Sequence, residues 1–245
     1  FYPLAPQVGQ ALDESARLVL ELDTRADDAF KRAVRTHASY PAGDHIRNHV
    51  APATLRRLTA ALHANGIPLS GVAHMKPWLL ANMLIGLELE RGGFGRAHGN
   101  ESFLLKAVQA RGFEVAELES ADYQLSLFDT LADADAEVYL REALDDLASG
   151  MSMKKSKAVI AAWTSGDAAA LDALIADTVG AGTVTSDFTR RTLLDRRNPE
   201  MAQRIEHIMK DGKVSFVGVG LLHLLGANGL PELLSQRGYQ VERMY

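Results

Sequence analysis

Residues Val214–Val219 read Val-Ser-Phe-Val-Gly-Val, a nearly continuous apolar run of the kind that forms a strand buried on both faces. Such a strand belongs inside a sheet covered by helices, so this run constrains the layer architecture more than any other segment. It ends in Gly220-Leu221-Leu222-His223, and Leu224, Leu225, Leu230, Leu233 and Leu234 follow at helical spacing until Gly238. Tyr239–Met244 then alternates as a short closing strand would. Two further runs resemble the first: Arg17–Asp23, with Leu18, Val19, Leu20 and Leu22, and Phe113–Leu118. Long helical stretches separate the three. The expectation is an α/β fold with a central, mostly parallel sheet, flanking helices and a large helical insertion at about residues 121–211. With no repeat and no low-complexity linker, one domain over residues 1–245 is expected.

Helix signals fill the intervals. Asp27–His37, Thr54–Ala64 and Asn100–Ala110 read as helices, and Asp122–Ser149 as a long helical region. Pro77 suits a first turn, followed by a stripe of Leu80, Met83, Leu84 and Leu87. Met153–Trp163 and Ala168–Asp177 are joined at Ser165-Gly166-Asp167, where Asp167 can cap the second helix. Asn198-Pro199-Glu200 reads as a helix start with Asn198 as the cap.

The net charge of −5 excludes the basic footprint of a nucleic-acid binder. The absence of cysteine excludes disulfides, thiolate metal sites and thiol nucleophiles. No apolar run reaches the roughly 18 residues of a membrane span. The chain opens at Phe1 rather than Met, and a segment upstream of it is expected.

Gly-x-x-His occurs three times, at Gly71–His74, Gly95–His98 and Gly220–His223, a spacing common enough by chance that context must decide. Only Gly220–His223 follows a buried strand. There the glycine permits a sharp turn, and the histidine sits where open α/β sheets keep their ligands. The alternative is a packed histidine in a strand–helix turn. Glu21 and Glu119 interrupt the other two runs near their C-terminal ends, and a carboxylate there is costly unless paired, hydrogen-bonded or bound to a metal. On parallel neighbouring strands, Glu21, Glu119 and His223 would converge at one rim, a donor set suited to Mn, Zn or Co. Helix capping or pairing with an arginine is the other account of the acids. Asp44-His45-x-x-x-His49 has the spacing of a helical metal pair, although Pro41, Gly43 and Pro52 argue against helix. Lys76, before a helix start, and Arg197, beside Asn198, are candidates to steady a carboxylate or oxyanion.

Taken in order, Tyr2-Pro-Leu4, Leu20-Glu-Leu-Asp23, Lys76-Pro-Trp78, Leu118-Glu119 with Gln124, Trp163 with Gly166-Asp167, Arg197-Asn198, Val217–Gly226 and Gly229-Leu-Pro231 resemble the TraB/GumN family. That family includes the Tiki proteins, described as metal-dependent proteases acting on Wnt, and the bacterial GumN-like branch is the better fit. The resemblance implies an α/β domain distantly similar to haem-binding ChaN proteins and erythromycin esterases. It also implies a site of two Gly-x-x-His motifs and an acid. The second motif maps onto Gly220–His223 and the acid onto Glu21, while the first is expected just before Tyr2, upstream of Phe1. The implied activity is that of a metal-dependent hydrolase, with a peptidase as one form of it, using Mn, Co or Zn. His223 and Glu21 would be ligands, with Glu119 a further ligand or general base and Arg197 or Lys76 supporting. A binding module for a small ligand, haem or a partner protein is the alternative, and a regulator of a signalling peptide a third. Periplasm or cell envelope is the location the resemblance implies.

Overall fold

The computed structural model describes residues 4–23, 25, 27–109 and 111–244, the side chains of Asp27 and Arg96 excepted. Tyr2 and Pro3 of the Tyr-Pro-Leu segment lie outside them. In chain order, helix α1 (Pro6–Asp13) leads into strand β1 (Arg17–Leu20), followed by α2 (Asp27–His37) and α3 (Pro52–Ala64). Next come α4 (Leu69–Val72), α5 (Pro77–Arg91), α6 (Asn100–Gln109) and strand β2 (Glu114–Glu117). Helices α7 (Ala121–Ser126), α8 (Asp133–Ser149), α9 (Met151–Ser165), α10 (Ala168–Gly180) and α11 (Val184–Phe188) continue the chain. It ends with α12 (Arg197–Met209), strand β3 (Ser215–Gly218) and α13 (Leu230–Gln236). Two compact units result: Phe1–Arg25, Asn100–Ser120 and Ala158–Tyr245 form one, Ala26–Gly99 and Ala121–Lys157 the other. The helical stretch expected at 121–211 is thus divided between the units.

The first unit is an α/β sandwich. Its sheet has the order β2-β1-β3, with both pairs parallel. β1 is central and all four of its residues are buried. The strand period of two sends Leu18 and Leu20 to one face, against Leu12 of α1 and Leu104, Leu105 and Val108 of α6. Val19 points to the other, against Met201, Ala202 and Ile205 of α12 and Leu230 of α13. Burying each such leucine stabilises by roughly 1.5–3 kcal/mol, so β1 is the unit's anchor. The closing strand expected at Tyr239–Met244 does not form. Tyr239, Val241 and Met244 are exposed and pair with no strand, because alternation without a face to bury does not hold an extended segment.

In the second unit α5 packs on α8 and α2 on α7. Trp78 stacks on Phe128 at 4.2 Å, and Tyr139 meets Phe128 edge-on at 6.3 Å. Two histidines join its chain segments. His37, ending α2, has Nδ1 2.6 Å from Asp129 and Nε2 3.0 Å from Asp122. His49 stacks on Tyr40 and bonds Asp44 at 2.8 Å and Asp133 at 3.2 Å. Carboxylates only accept, so both nitrogens of each ring must donate, which requires the imidazolium. Burial opposes that charge, but the flanking carboxylates outweigh it and raise both histidines above their ordinary pKa. Bonds from Asn48 and His49 hold Asp44 down at about 2. The signs set a pH window. Stability from the raised histidines is complete below about pH 6.5 and is lost as pH rises through their folded values. Stability from the lowered Asp44 is lost as pH falls towards about 2. Hydrogen exchange in α2 and α7, corrected for its intrinsic pH dependence, is expected to be slowest between about pH 4 and 6.5. His37→Gln should flatten the alkaline side; an unchanged profile would show that the bridges contribute nothing.

Candidate functional site

Parallel pairing in register puts Leu20, Glu117 and Gly218 side by side at the C-terminal ends of the strands. The chains leave together at that edge. Glu119 N–H still donates to the Glu21 carbonyl at 3.0 Å, so Glu21 and Glu119 emerge as neighbours. From β3 the backbone passes Gly220 into a single 3-10 turn, Leu221–Leu224, that carries His223. At the opposite end of the sheet Arg17 is buried and fastened to Asp211 and Ser215.

Arg197, in the first turn of α12, stands between the two acids. Its Nε lies 2.9 and 3.1 Å from the two oxygens of Glu119, and Nη2 lies 2.6 Å from Glu119 Oε2 and 2.7 Å from Glu21 Oε2. A buried cation is costly unless paired, and the two carboxylates supply charge-assisted partners. Burial works against the guanidinium charge, yet hydrogen bonds and charge from Glu119, then Glu21, hold its pKa above the ordinary value. The Glu119 side chain is 3% exposed and that of Glu21 22%, so Glu21 is the acid that reaches solvent. Its other oxygen accepts the Gly220 N–H.

His223 completes the cluster. Its ring is 6% exposed; Nε2 is 3.7 Å from Glu21 Oε2, beyond a direct hydrogen bond, and Nδ1 is bonded to Asn198 Oδ1. Burial lowers its pKa, the Glu21 charge opposes that shift, and Arg197 reinforces it, so the imidazole is neutral near pH 7. Glycine at 220 has a purpose here. A Cβ there would sit 3.1 Å from Glu21 Oε1 and 3.7 Å from the His223 ring. Gly220→Ala should therefore displace the Glu21 carboxylate and cost roughly 1–3 kcal/mol in stability, read as a fall in Tm. A hydrogen-exchange map unchanged around residue 220 would contradict that displacement.

The strand-end residues Glu21, Glu119 and His223 thus come together with Arg197 and Gly220. The pairing of the acids with an arginine is what occupies Glu119. Lys76 lies in the second unit, where its ammonium pairs with Asp129 at 2.7 Å. Asp44, His45 and His49 do not form a helical pair: the backbone makes only a 3-10 turn, Ile46–Asn48, with His45 exposed. Asn198 is not a cap. A π-helical turn, Thr189–Asp195, runs directly into α12, so the chain is already helical before Pro199. Freed from capping, the buried Asn198 side chain bonds His223 and donates to the Asn228 carbonyl at 2.7 Å.

Metal ligands were expected from His223 and Glu21. Zinc-type sites take three or four protein ligands, and the cluster offers two donors, because Glu119 is committed to Arg197. No group of three or more histidine, aspartate or glutamate side chains suited to an ion occurs among the described residues. The donors present do not by themselves make a metal centre. Beside the cluster is a cavity of about 780 Å³ in the first unit, lined by Leu20, Leu104, Trp163, Phe216, Gly220 and Leu224 among others. No helix among the described residues is long and apolar enough to cross a membrane.

The model of the TraB/PrgY/gumN family matches residues 1–243. No curated protein and no solved structure matches the chain.

Proposed function

The chain belongs to the TraB/PrgY/gumN family, and from that premise we propose that it is a hydrolase whose working groups are His223, Glu21, Arg197 and Glu119. The observation that carries the reading is a buried histidine whose Nε2 lies 3.7 Å from the one carboxylate of the cluster that reaches solvent. A water held between Nε2 and Glu21 would lose its proton to Nε2 as its oxygen adds to an acyl carbon. The same proton would pass to the leaving amine or alkoxide as the acyl bond breaks. Arg197 aims Glu21, and its guanidinium would stabilise a developing oxyanion. Glu119 holds Arg197. The cavity beside Gly220, with its mainly apolar walls, suits the apolar part of a peptide or small-molecule ester. A divalent metal (Mn, Co or Zn), if bound, would take His223 and Glu21 as two of its ligands.

A second reading is a binding module of the same fold. It is favoured by the size of the cavity and by the engagement of both acids with Arg197. A panel of fluorogenic peptides and p-nitrophenyl esters separates the two. A hydrolase should show turnover that rises with pH through a midpoint below the ordinary histidine value of about 6.5, and Glu21→Gln should reduce it. Binding of panel members without turnover would support the module instead. A periplasmic or envelope location, which the family likeness suggests, is part of the same proposal.

A further inference from the structure

The proposed chemistry needs an open lone pair on His223 Nε2, yet a carboxylate near that nitrogen would by itself favour a proton there. The remaining bonds of the cluster decide the matter. The Asn228 backbone carbonyl can only accept, so the Asn198 group facing it at 2.7 Å must be the NH2. That leaves Oδ1 of Asn198 facing His223 Nδ1, and an amide oxygen can only accept. The proton therefore sits on Nδ1. Glu21, at 3.7 Å from Nε2, is too distant to compete by a direct bond.

The carbonyl that orients Asn198 is itself fixed. Asn228 lies in the turn between the 3-10 segment and α13, closed by the Gly229 N–H to the Gly226 carbonyl at 3.0 Å. A Cβ on Gly229 would lie 2.8 Å from the Leu225 carbonyl oxygen and 2.9 Å from its nitrogen, so the turn in this form admits only glycine. The Asn228 side chain bonds Asp195 at 2.9 Å, which ties the turn to the end of the π-helical segment.

We propose that Asn198 is a positioning residue, held by the Gly226–Gly229 turn, that fixes His223 with its proton on Nδ1 and its lone pair on Nε2 facing Glu21. The proposal deepens the hydrolase reading by naming what keeps its base available, and it rests on that reading only for the use made of Nε2. Free neutral imidazole side chains lean to the opposite tautomer, so the arrangement has a spectroscopic signature. Protein carrying 15N-labelled histidine, with His223 assigned by its loss in His223→Gln, reports which ring nitrogen is protonated above the histidine pKa. The wild type is expected to show a protonated Nδ1 and a bare Nε2. Asn198→Leu should reverse that preference and slow any hydrolysis about 10- to 100-fold. Asn198→Asp should keep the proton on Nδ1 and move the His223 titration upwards. A protonated Nε2 in the wild type overturns the proposal whether or not any variant folds, as does an unchanged tautomer in a folded Asn198→Leu. The expected tautomer in a protein that hydrolyses nothing would uphold this assignment and count against the hydrolase reading alone.

Discussion

Arg197→Met is expected to destabilise the protein by about 3–5 kcal/mol, because it strips the cation from two carboxylates held at one rim of the sheet. For a chain of this size that is a fall in Tm on the order of 10 °C. The size follows from burial. The Arg197 and Glu119 side chains are 9% and 3% exposed, so water cannot replace the guanidinium. Arg57→Met is the contrast: its partner Asp145 is 68% exposed, and losing that surface pair should cost under about 1 kcal/mol. One control sharpens the attribution. Replacing Glu119 as well, with leucine, should recover much of the loss, since an apolar pair of similar volume does not carry a stranded charge. Equal losses for the Arg197 and Arg57 variants, measured by denaturant unfolding, would mean that the buried cluster is not what it looks like energetically.

Much of this cluster was readable from the chain because strands advertise their ends. Leu18–Leu20 and Val217–Val219 are apolar runs, and Glu21 and Gly220 follow them directly, so a parallel register was enough to bring Glu21, Glu119 and His223 to one edge. The role of Arg197 as the link between the acids was readable only as one of two accounts of the acids. Asn198 was hidden by its own neighbours. Asn-Pro-Glu is a standard start signal, and a π-helical turn of seven residues upstream has no hydrophobic period by which to recognise it. The same holds for the bridges of His37 and His49, whose carboxylate partners lie at least 84 residues away except for Asp44. Lys76 illustrates a different limit. Its position before a helix start signalled a need for an anion, and the anion is Asp129 within its own unit. The alternation at Tyr239–Met244 named a strand, but Tyr239, Val241 and Met244 stay exposed and the segment pairs with neither edge of the sheet.

The second large effect is on chemistry. His223→Ala is expected to reduce hydrolysis at least about 100-fold, the usual contribution of a positioned general base. The remaining groups do not replace it. Glu119 is held on Arg197 by three hydrogen bonds, and Glu21 divides its oxygens between Arg197 and the Gly220 N–H. Removing the ring also leaves the Asn198 oxygen unsatisfied, a cost of about 1–3 kcal/mol, so His223→Gln serves as the better folded partner variant. The decisive measurement is turnover of the peptide and ester panel at pH 8 by wild type, His223→Ala and His223→Gln, each alone and with Mn, Co or Zn supplied. Turnover by the wild type that collapses in both variants while they remain folded is the expected result. Equal rates in wild type and variants, or no turnover by the wild type under any of these conditions, would contradict the assignment of this cluster as a hydrolytic site.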